Sequence, residues 1–273
     1  MSRAAEKLAA AEPLLLRTDR NGVTTLTLNS PAQRNSLSRA MLTALTEALT
    51  AVASDASVRC VVLASSGTVF CSGHDLKELT AARAHADQGR GEFQEILTLC
   101  NTMMQMIVNL PKPVIARVHG VATAAGCQLV ASCDLAIAAD DTRFATPGVN
   151  IGLFCSTPMV ALSRNVSRKH AMEMLLTGDM FSAAHAVEIG LINQAVPIAD
   201  LDHAVTVLAE KIASKSSLTL AVGKQAFYKQ LEKPLSEAYE FAKEVMVQNT
   251  LARDAEEGIN AFMEKRAPVW QDK

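Results

Sequence analysis

The chain carries almost no net charge. It has 26 Lys and Arg against 28 Asp and Glu over 273 residues, a formal charge of -2. That balance leaves no electrostatic footprint for nucleic acid or an anionic membrane, so neither is expected as a partner. A paired cysteine framework is also missing. Six cysteines stand at 60, 71, 100, 127, 133 and 155, with no C-x-x-C among them. This argues against a disulfide scaffold or a zinc ribbon, and reduced core thiols in a reducing compartment are expected. Cys71 and His74 have a metal-like spacing, but no second pair answers them. No apolar run approaches a membrane span. The start, MSRAAEKLAAAEPLLLR, has no long apolar h-region, and Glu6 and Glu12 weigh against a mitochondrial transit peptide, so the reading is a cytoplasmic protein. Internal repeats and low-complexity linkers are absent as well.

What is present is core-forming material. Hydrophobic residues make up 49% of the chain, enough for one large domain with an appendage. Asp19-Arg20-Asn21-Gly22 between apolar segments signals a hairpin. Asn29–Ser38 is a polar loop with Ser38 as helix cap, followed by an apolar face of Met41, Leu42, Leu45, Leu49 and Val52. A buried strand is expected at Val58–Ala64, a loop at Ser65–Asp75, a short helix capped by Asp75, and a Met-rich helix from Phe93. Strands at Val114–Val118, Leu135–Ala139 and Leu191–Val196 alternate with helices, which implies a largely parallel sheet. Arg143–Pro158 reads as a loop. From Leu201 the chain reads as helix only, over 201–214, 217–230, 235–248 and 253–265, punctuated by Pro234 and Gly258. The division is therefore a core over 1–200 and a helical region over 201–273, serving as lid, oligomer contact or both.

The organising stretch is Pro113–Asp134. A short strand ends at His119-Gly120, and the small residues Ala122, Thr123, Ala124, Ala125 and Gly126 lead into a helix. Two readings stand. Small residues at a helix start let a ligand approach backbone N–H groups and the positive end of the dipole, as an oxyanion would require. They also suit tight packing of a helix on a sheet.

Four segments together resemble the crotonase (enoyl-CoA hydratase/isomerase) family: NSPAQRNSLS at 29–38, FCSGHDLKEL at 70–79, HGVATAAGCQLVASCD at 119–134 and FATPGVNIGLF at 144–154. The tail AFMEKRAPVW at 261–270 fits too, and segments 72–80, 126–134 and 144–158 are similar to one branch in particular. The resemblance implies an α/β fold, a spiral of ββα turns with a C-terminal helical region, assembled as a trimer or hexamer. It implies an acyl-CoA substrate and no separate cofactor, coenzyme A entering as part of the substrate. The backbone N–H groups of His74 and Ala125 would hold the thioester oxygen as it becomes an enolate. CoA contacts would come from Gln33, Arg34 and Ser36, from Ala64 and Ser65, from Asp75 and Leu76, and from Lys265. Arg34 and Lys265 equally fit solvated surface charges.

The family pattern is broken where the acid–base chemistry lies. Hydratases of the family use two glutamates, and these positions are Gln128 and Gly148 here. A glutamine orients water but has no useful proton to give or take, and glycine offers no side chain. Other groups in the same loops are the His74 imidazole, Cys155 and Ser156, with Asp75 better suited to a helix cap. Cys155 reads as an inert thiol unless something lowers its pKa. An acyl-CoA enzyme and a non-catalytic acyl-CoA binder both remain open.

Overall fold

The computed structural model describes residues 12–273. The hairpin pairs β1 (Leu15–Arg20) with β2 (Val23–Leu28), turning through Asn21 and Gly22 with Arg20 opposite Val23. Ser38 caps α1 (Arg39–Ser54), its hydroxyl accepting the Met41 N–H at 3.2 Å. Next come β3 (Cys60–Ser65), α2 (Leu76–Ala82) and α3 (Arg90–Asn109). The organising stretch follows as β4 (Val114–Val118), β5 (Val121–Thr123) and α4 (Ala125–Ser132). After it stand β6 (Leu135–Ala139), β7 (Arg143–Ala145), a 3-10 turn at Pro147–Ile151, α5 (Pro158–Asn165) and α6 (Arg168–Thr177). The core closes with β8 (Phe181–Ser182), α7 (Ala183–Glu188) and β9 (Gln194–Val196). Helices α8 (Leu201–Ala213), α9 (Ser217–Leu231), α10 (Leu235–Thr250) and α11 (Arg253–Glu264) make up the rest.

The large sheet runs β1-β2-β3-β4-β6-β9, parallel throughout except for the hairpin. A small sheet runs β5-β7-β8. Twice in succession the chain makes a strand of the large sheet, a strand of the small one, then a helix: β4, β5, α4 and β6, β7, α5. These are the ββα turns expected. The small sheet was not: β7 lies in the stretch read as loop and β5 in the small residues read as leading into a helix, and β9 is shorter than the expected strand at Leu191–Val196. Gly258 does not break α11; it lies inside the helix, where a Cβ would come within 3.2 Å of the Trp270 ring.

Alternation along the strands gives the large sheet two apolar faces. One carries Leu26, Leu28, Val61, Leu63, Val114 and Ala116 against Leu42, Leu45 and Leu49 of α1 and Ile96 and Met103 of α3. The other carries Cys60, Val62, Ile115 and Ile137 against Val205 and Ala209 of α8. Each large apolar side chain so buried contributes about 1.5–3 kcal/mol of transfer free energy. The helical region is tied down by a polar node. Lys224 of α9 donates to the Ile107 and Lys112 carbonyls at 2.9 and 3.0 Å and to Asp134 at 2.7 Å. The Tyr228 hydroxyl and the Val114 N–H also donate to Asp134, at 3.0 and 2.7 Å.

Candidate active site

The start of α4 is built around close backbone approach. Ala124 accepts no helical geometry: it sits at φ 51, ψ -121, a conformation that costs a non-glycine residue on the order of 1–3 kcal/mol. The strain is held by neighbours on both sides. The Ala124 N–H donates to Ala145 at 2.9 Å, and the Thr123 N–H donates to Cys71 at 3.0 Å. Gly126 has no room for a side chain, since a Cβ there would lie 2.1 Å from the Cys71 carbonyl oxygen. The segment Ser72–His74 is thus pressed against the helix start. A Cβ on Gly73 would be 3.2 Å from the Ala125 nitrogen and 2.9 Å from the Ala124 Cβ. Among the described residues, neither the His74 nor the Ala125 N–H finds an acceptor.

The polar loop at 29–38 joins the same place. Arg34 accepts the Ser72 N–H at 3.2 Å, and the Leu37 N–H donates to Gly73 at 2.7 Å. The loop is held by Asn35, a residue the sequence reading passed over. Asn35 is fully buried; its amide donates to the Ser66 and Val69 carbonyls, each at 2.8 Å, and its oxygen accepts the Ser30 N–H at 2.8 Å. Its only sequence signal was its place inside the NSPAQRNSLS motif. Gln33 accepts from the Ser30 hydroxyl, Ser36 is buried, and Arg34 is exposed with a left-handed φ of 54. Asp75 caps α2, accepting the Lys77 N–H at 2.8 Å, and Leu76 opens that helix exposed to solvent.

Not every candidate gathers here. Ala64 and Ser65 line a separate groove of about 550 Å³ on the α8 side of the large sheet, with Thr27, Arg117, His119 and Asp202. Lys265 stands exposed at the end of α11, an element packed on α10 and on the chain's last residues, and it has no side-chain partner among the described residues.

The electrostatics at the α4 start are unusual for a protein interior. Gln128 is 4% exposed and its Oε1 has no hydrogen-bond partner; Thr146 is fully buried with an unpartnered hydroxyl. Both ring nitrogens of His74 are buried, with only the Leu37 backbone near enough to act on them. Burial pushes the His74 pKa down and so favours the neutral imidazole, with the Leu37 backbone pulling the other way. Most buried polar atoms in native proteins are paired, so this concentration marks the α4 start as a candidate site. Gly148, by contrast, is closed. A Cβ there would lie 2.6 Å from the Leu153 carbonyl oxygen and 2.9 Å from the Cys155 sulfur. Cys155 is buried, and desolvation raises its pKa, offset in part by the Gly148 amide. Ser156 is exposed and spends its hydroxyl on the Phe154 carbonyl at 3.3 Å. Among the described residues, no group of three His, Cys, Asp or Glu side chains is placed to hold a metal ion. No helix of the described residues is long and apolar enough to cross a membrane.

Comparison with known proteins shows the family and the fold. The family model described as enoyl-CoA hydratase/isomerase matches residues 18–273. The chain is 49% identical over 261 residues to the Rattus norvegicus protein named enoyl-CoA hydratase domain-containing protein 3, mitochondrial, covering 95% of this chain and 85% of that one. A crystal structure of an enoyl-CoA hydratase from Mycobacterium smegmatis superposes with a TM-score of 0.90 at 52% identity, covering 95% of this chain and 99% of that chain. The crystal structure of the human enoyl-CoA hydratase domain-containing protein 3 gives 0.90 at 47% identity, covering 94% and 100%. That shared name is the branch to which segments 72–80, 126–134 and 144–158 pointed. The cytoplasmic expectation is overturned. The rat relative and its counterparts from Xenopus laevis, Mus musculus and Homo sapiens are all named mitochondrial. Targeting is a receptor-read address rather than a packing property, and Glu6 and Glu12 were too slender a ground for judging it.

Proposed function

The chain belongs to the enoyl-CoA hydratase/isomerase family, and on that premise we propose that it binds acyl-CoA thioesters and stabilises their enolates with the backbone N–H groups of His74 and Ala125. The observation that carries this reading is a pair of amides without acceptors, one on the Ser72–His74 segment and one on the first residue of α4, held together by the Gly73 contact. Preorganised donors of this kind act where negative charge develops, and losing one typically costs on the order of 10²–10³ in rate. Gln33, Arg34 and Ser36 sit on the loop bonded to the same segment and supply the CoA contacts in this reading, with Asp75 and Leu76 at the start of α2 beside them. Ala64 and Ser65 adjoin Ser66, to which the same loop is bonded through Asn35, and keep their place in this reading, whereas Lys265 lies at the end of α11.

Water addition is expected to be weak. It requires a base on the water and an acid for the α-carbon, and such groups contribute on the order of 10²–10⁴-fold each. Gln128 orients without transferring protons, and the ground at Gly148 is filled. That closure also favours a second reading, a non-catalytic acyl-CoA binder. A panel of acyl-CoA thioesters assayed for binding and for turnover separates the two. Turnover of at least one member supports the enzyme; binding of every member with turnover of none leaves the binder.

Self-association, as a trimer or a pair of trimers, belongs to the same proposal. Leu235, Leu251 and Phe262 are 76%, 76% and 85% exposed, an arrangement more typical of an interface than of a solvated surface. Light scattering at micromolar concentration is expected to give a trimer or hexamer mass, and a monomer would count against it.

A further inference from the structure

The His74 and Ala125 amides each follow an unusual joint in the backbone. His74 follows Gly73, which sits at φ 93, a region glycine enters freely and other residues rarely. Ala125 follows the strained Ala124. A glycine hinge lets the next amide swing unless the peptides on both sides of it are fixed. Two hydrogen bonds fix them here. On the far side, the Leu37 N–H donates to the Gly73 carbonyl at 2.7 Å, and Leu37 pairs with His74 as a parallel bridge. The Gly73 carbonyl and the His74 N–H belong to one planar trans peptide, so holding the carbonyl aims the N–H the opposite way. On the near side, the Thr123 hydroxyl donates to the Ser72 carbonyl at 3.2 Å.

Thr123 stands at a particular place. It is the last residue of β5, directly before Ala124, and it is only 8% exposed. Its own N–H donates to the Cys71 carbonyl at 3.0 Å, and its carbonyl lies 3.2 Å from where a Gly73 Cβ would be. The main-chain bond places Thr123 beside Cys71. The hydroxyl adds a tie to the next residue along, on the hinge itself. Valine has nearly the same branched shape and the same preference for a strand, but it has no donor to offer.

We propose that Thr123 is a positioning residue, whose hydroxyl couples the Ser72–His74 segment to the start of α4 and keeps the two amides converging on one oxygen. The inference rests on the oxyanion reading above. Thr123 meets no substrate in this account; it acts through the Ser72 carbonyl and the Gly73 hinge. Donors of this kind work because they are held in place before charge develops. With Leu37 alone, the Gly73–His74 peptide is held, but its register against Ala125 is not.

The test is infrared spectroscopy of bound butyryl-CoA, isotopically labelled at the thioester carbonyl, alongside calorimetric binding of the same thioester and circular dichroism of each variant. The wild type is expected to move the carbonyl stretch to lower frequency. Thr123→Val is expected to lose most of that downshift at nearly unchanged affinity, and Thr123→Ser, which keeps the donor, to retain it. A tie that serves stability alone would lower the denaturant midpoint of Thr123→Val and leave the bound stretch at the wild-type frequency. That result overturns the role of Thr123 and leaves the oxyanion reading standing. Equal loss in Thr123→Val and Thr123→Ser overturns it as well, because the hydroxyl is then not the cause. So does a Thr123→Val chain that fails to fold, which makes the hydroxyl a structural tie. A wild-type complex whose carbonyl stretches at its free-solution frequency overturns the oxyanion reading itself, and failure of the wild type to bind butyryl-CoA overturns the acyl-CoA reading.

Discussion

Two buried polar clusters lie at opposite ends of α4, and they are built in opposite ways. At Asp134, just past α4, every partner is supplied from within. The Lys224 ammonium, the Tyr228 hydroxyl and the Val114 amide all converge on one carboxylate, while the lysine spends its remaining donors on two carbonyls. At the start of the same helix, Gln128 and Thr146 are buried with oxygens that bond to nothing among the described residues, and the His74 imidazole is buried beside them. The first cluster fastens the helical region to the sheet. The second leaves polar groups unpaired beside a strained Ala124, at a cost in stability.

The largest effect is expected from breaking the satisfied cluster. Lys224→Met leaves a carboxylate that is only 15% exposed without its cation, and removing one partner of a buried pair typically costs about 3–5 kcal/mol. Denaturant unfolding should show a loss of that order, whereas Lys224→Met combined with Asp134→Leu should recover part of it. A loss below about 1 kcal/mol, the worth of a surface pair, would show that the node is not what docks α9.

Next in size is Gly148→Glu. The Leu153 carbonyl and the Cys155 sulfur stand where the new side chain must begin. Overpacking of this kind costs about 1–3 kcal/mol. Crotonyl-CoA hydration is expected to stay low in this variant even when Gln128→Glu is added. A double variant that folds as well as the wild type and hydrates efficiently would mean that the Leu153–Cys155 turn opens readily.

Much of the frame was legible because periodicity reports burial. The faces of α1 and α3, the parallel strands and the four C-terminal helices all follow from apolar spacing, and the ordered motifs led to the family. The small sheet escaped because strands such as Val121–Thr123 and Phe181–Ser182 are too short to alternate visibly. Asn35 escaped because an asparagine in a polar loop looks solvated; only the fold reveals that it ties two segments together. Lys224 drew no reading at all, because a lysine on a helix gives no local sign of being buried. Cys155 could be placed in the right loop from sequence, but its approach to Gly148 depends on a turn that no local pattern announces.

The smallest expected change in stability comes from the unsatisfied cluster. Gln128→Leu removes a buried amide whose oxygen has no partner, and exchanging such a group for an apolar one of similar shape is nearly neutral or stabilising. Unfolding free energy is expected to change by less than about 1 kcal/mol or to rise, while any residual hydration of crotonyl-CoA falls. A large destabilisation would mean that the Gln128 amide is satisfied inside the free protein.

The central claim is that the His74 and Ala125 amides are kept free for a thioester oxygen. Infrared spectroscopy of a bound acyl-CoA, isotopically labelled at the thioester carbonyl, reads this directly. Polarisation by two donors should move the carbonyl stretch to lower frequency on binding to the wild type. Ala125→Pro, which removes one N–H, should lose most of that shift while retaining most of the affinity, its fold being checked by circular dichroism. A bound carbonyl stretching at its free-solution frequency in the wild type would contradict the account.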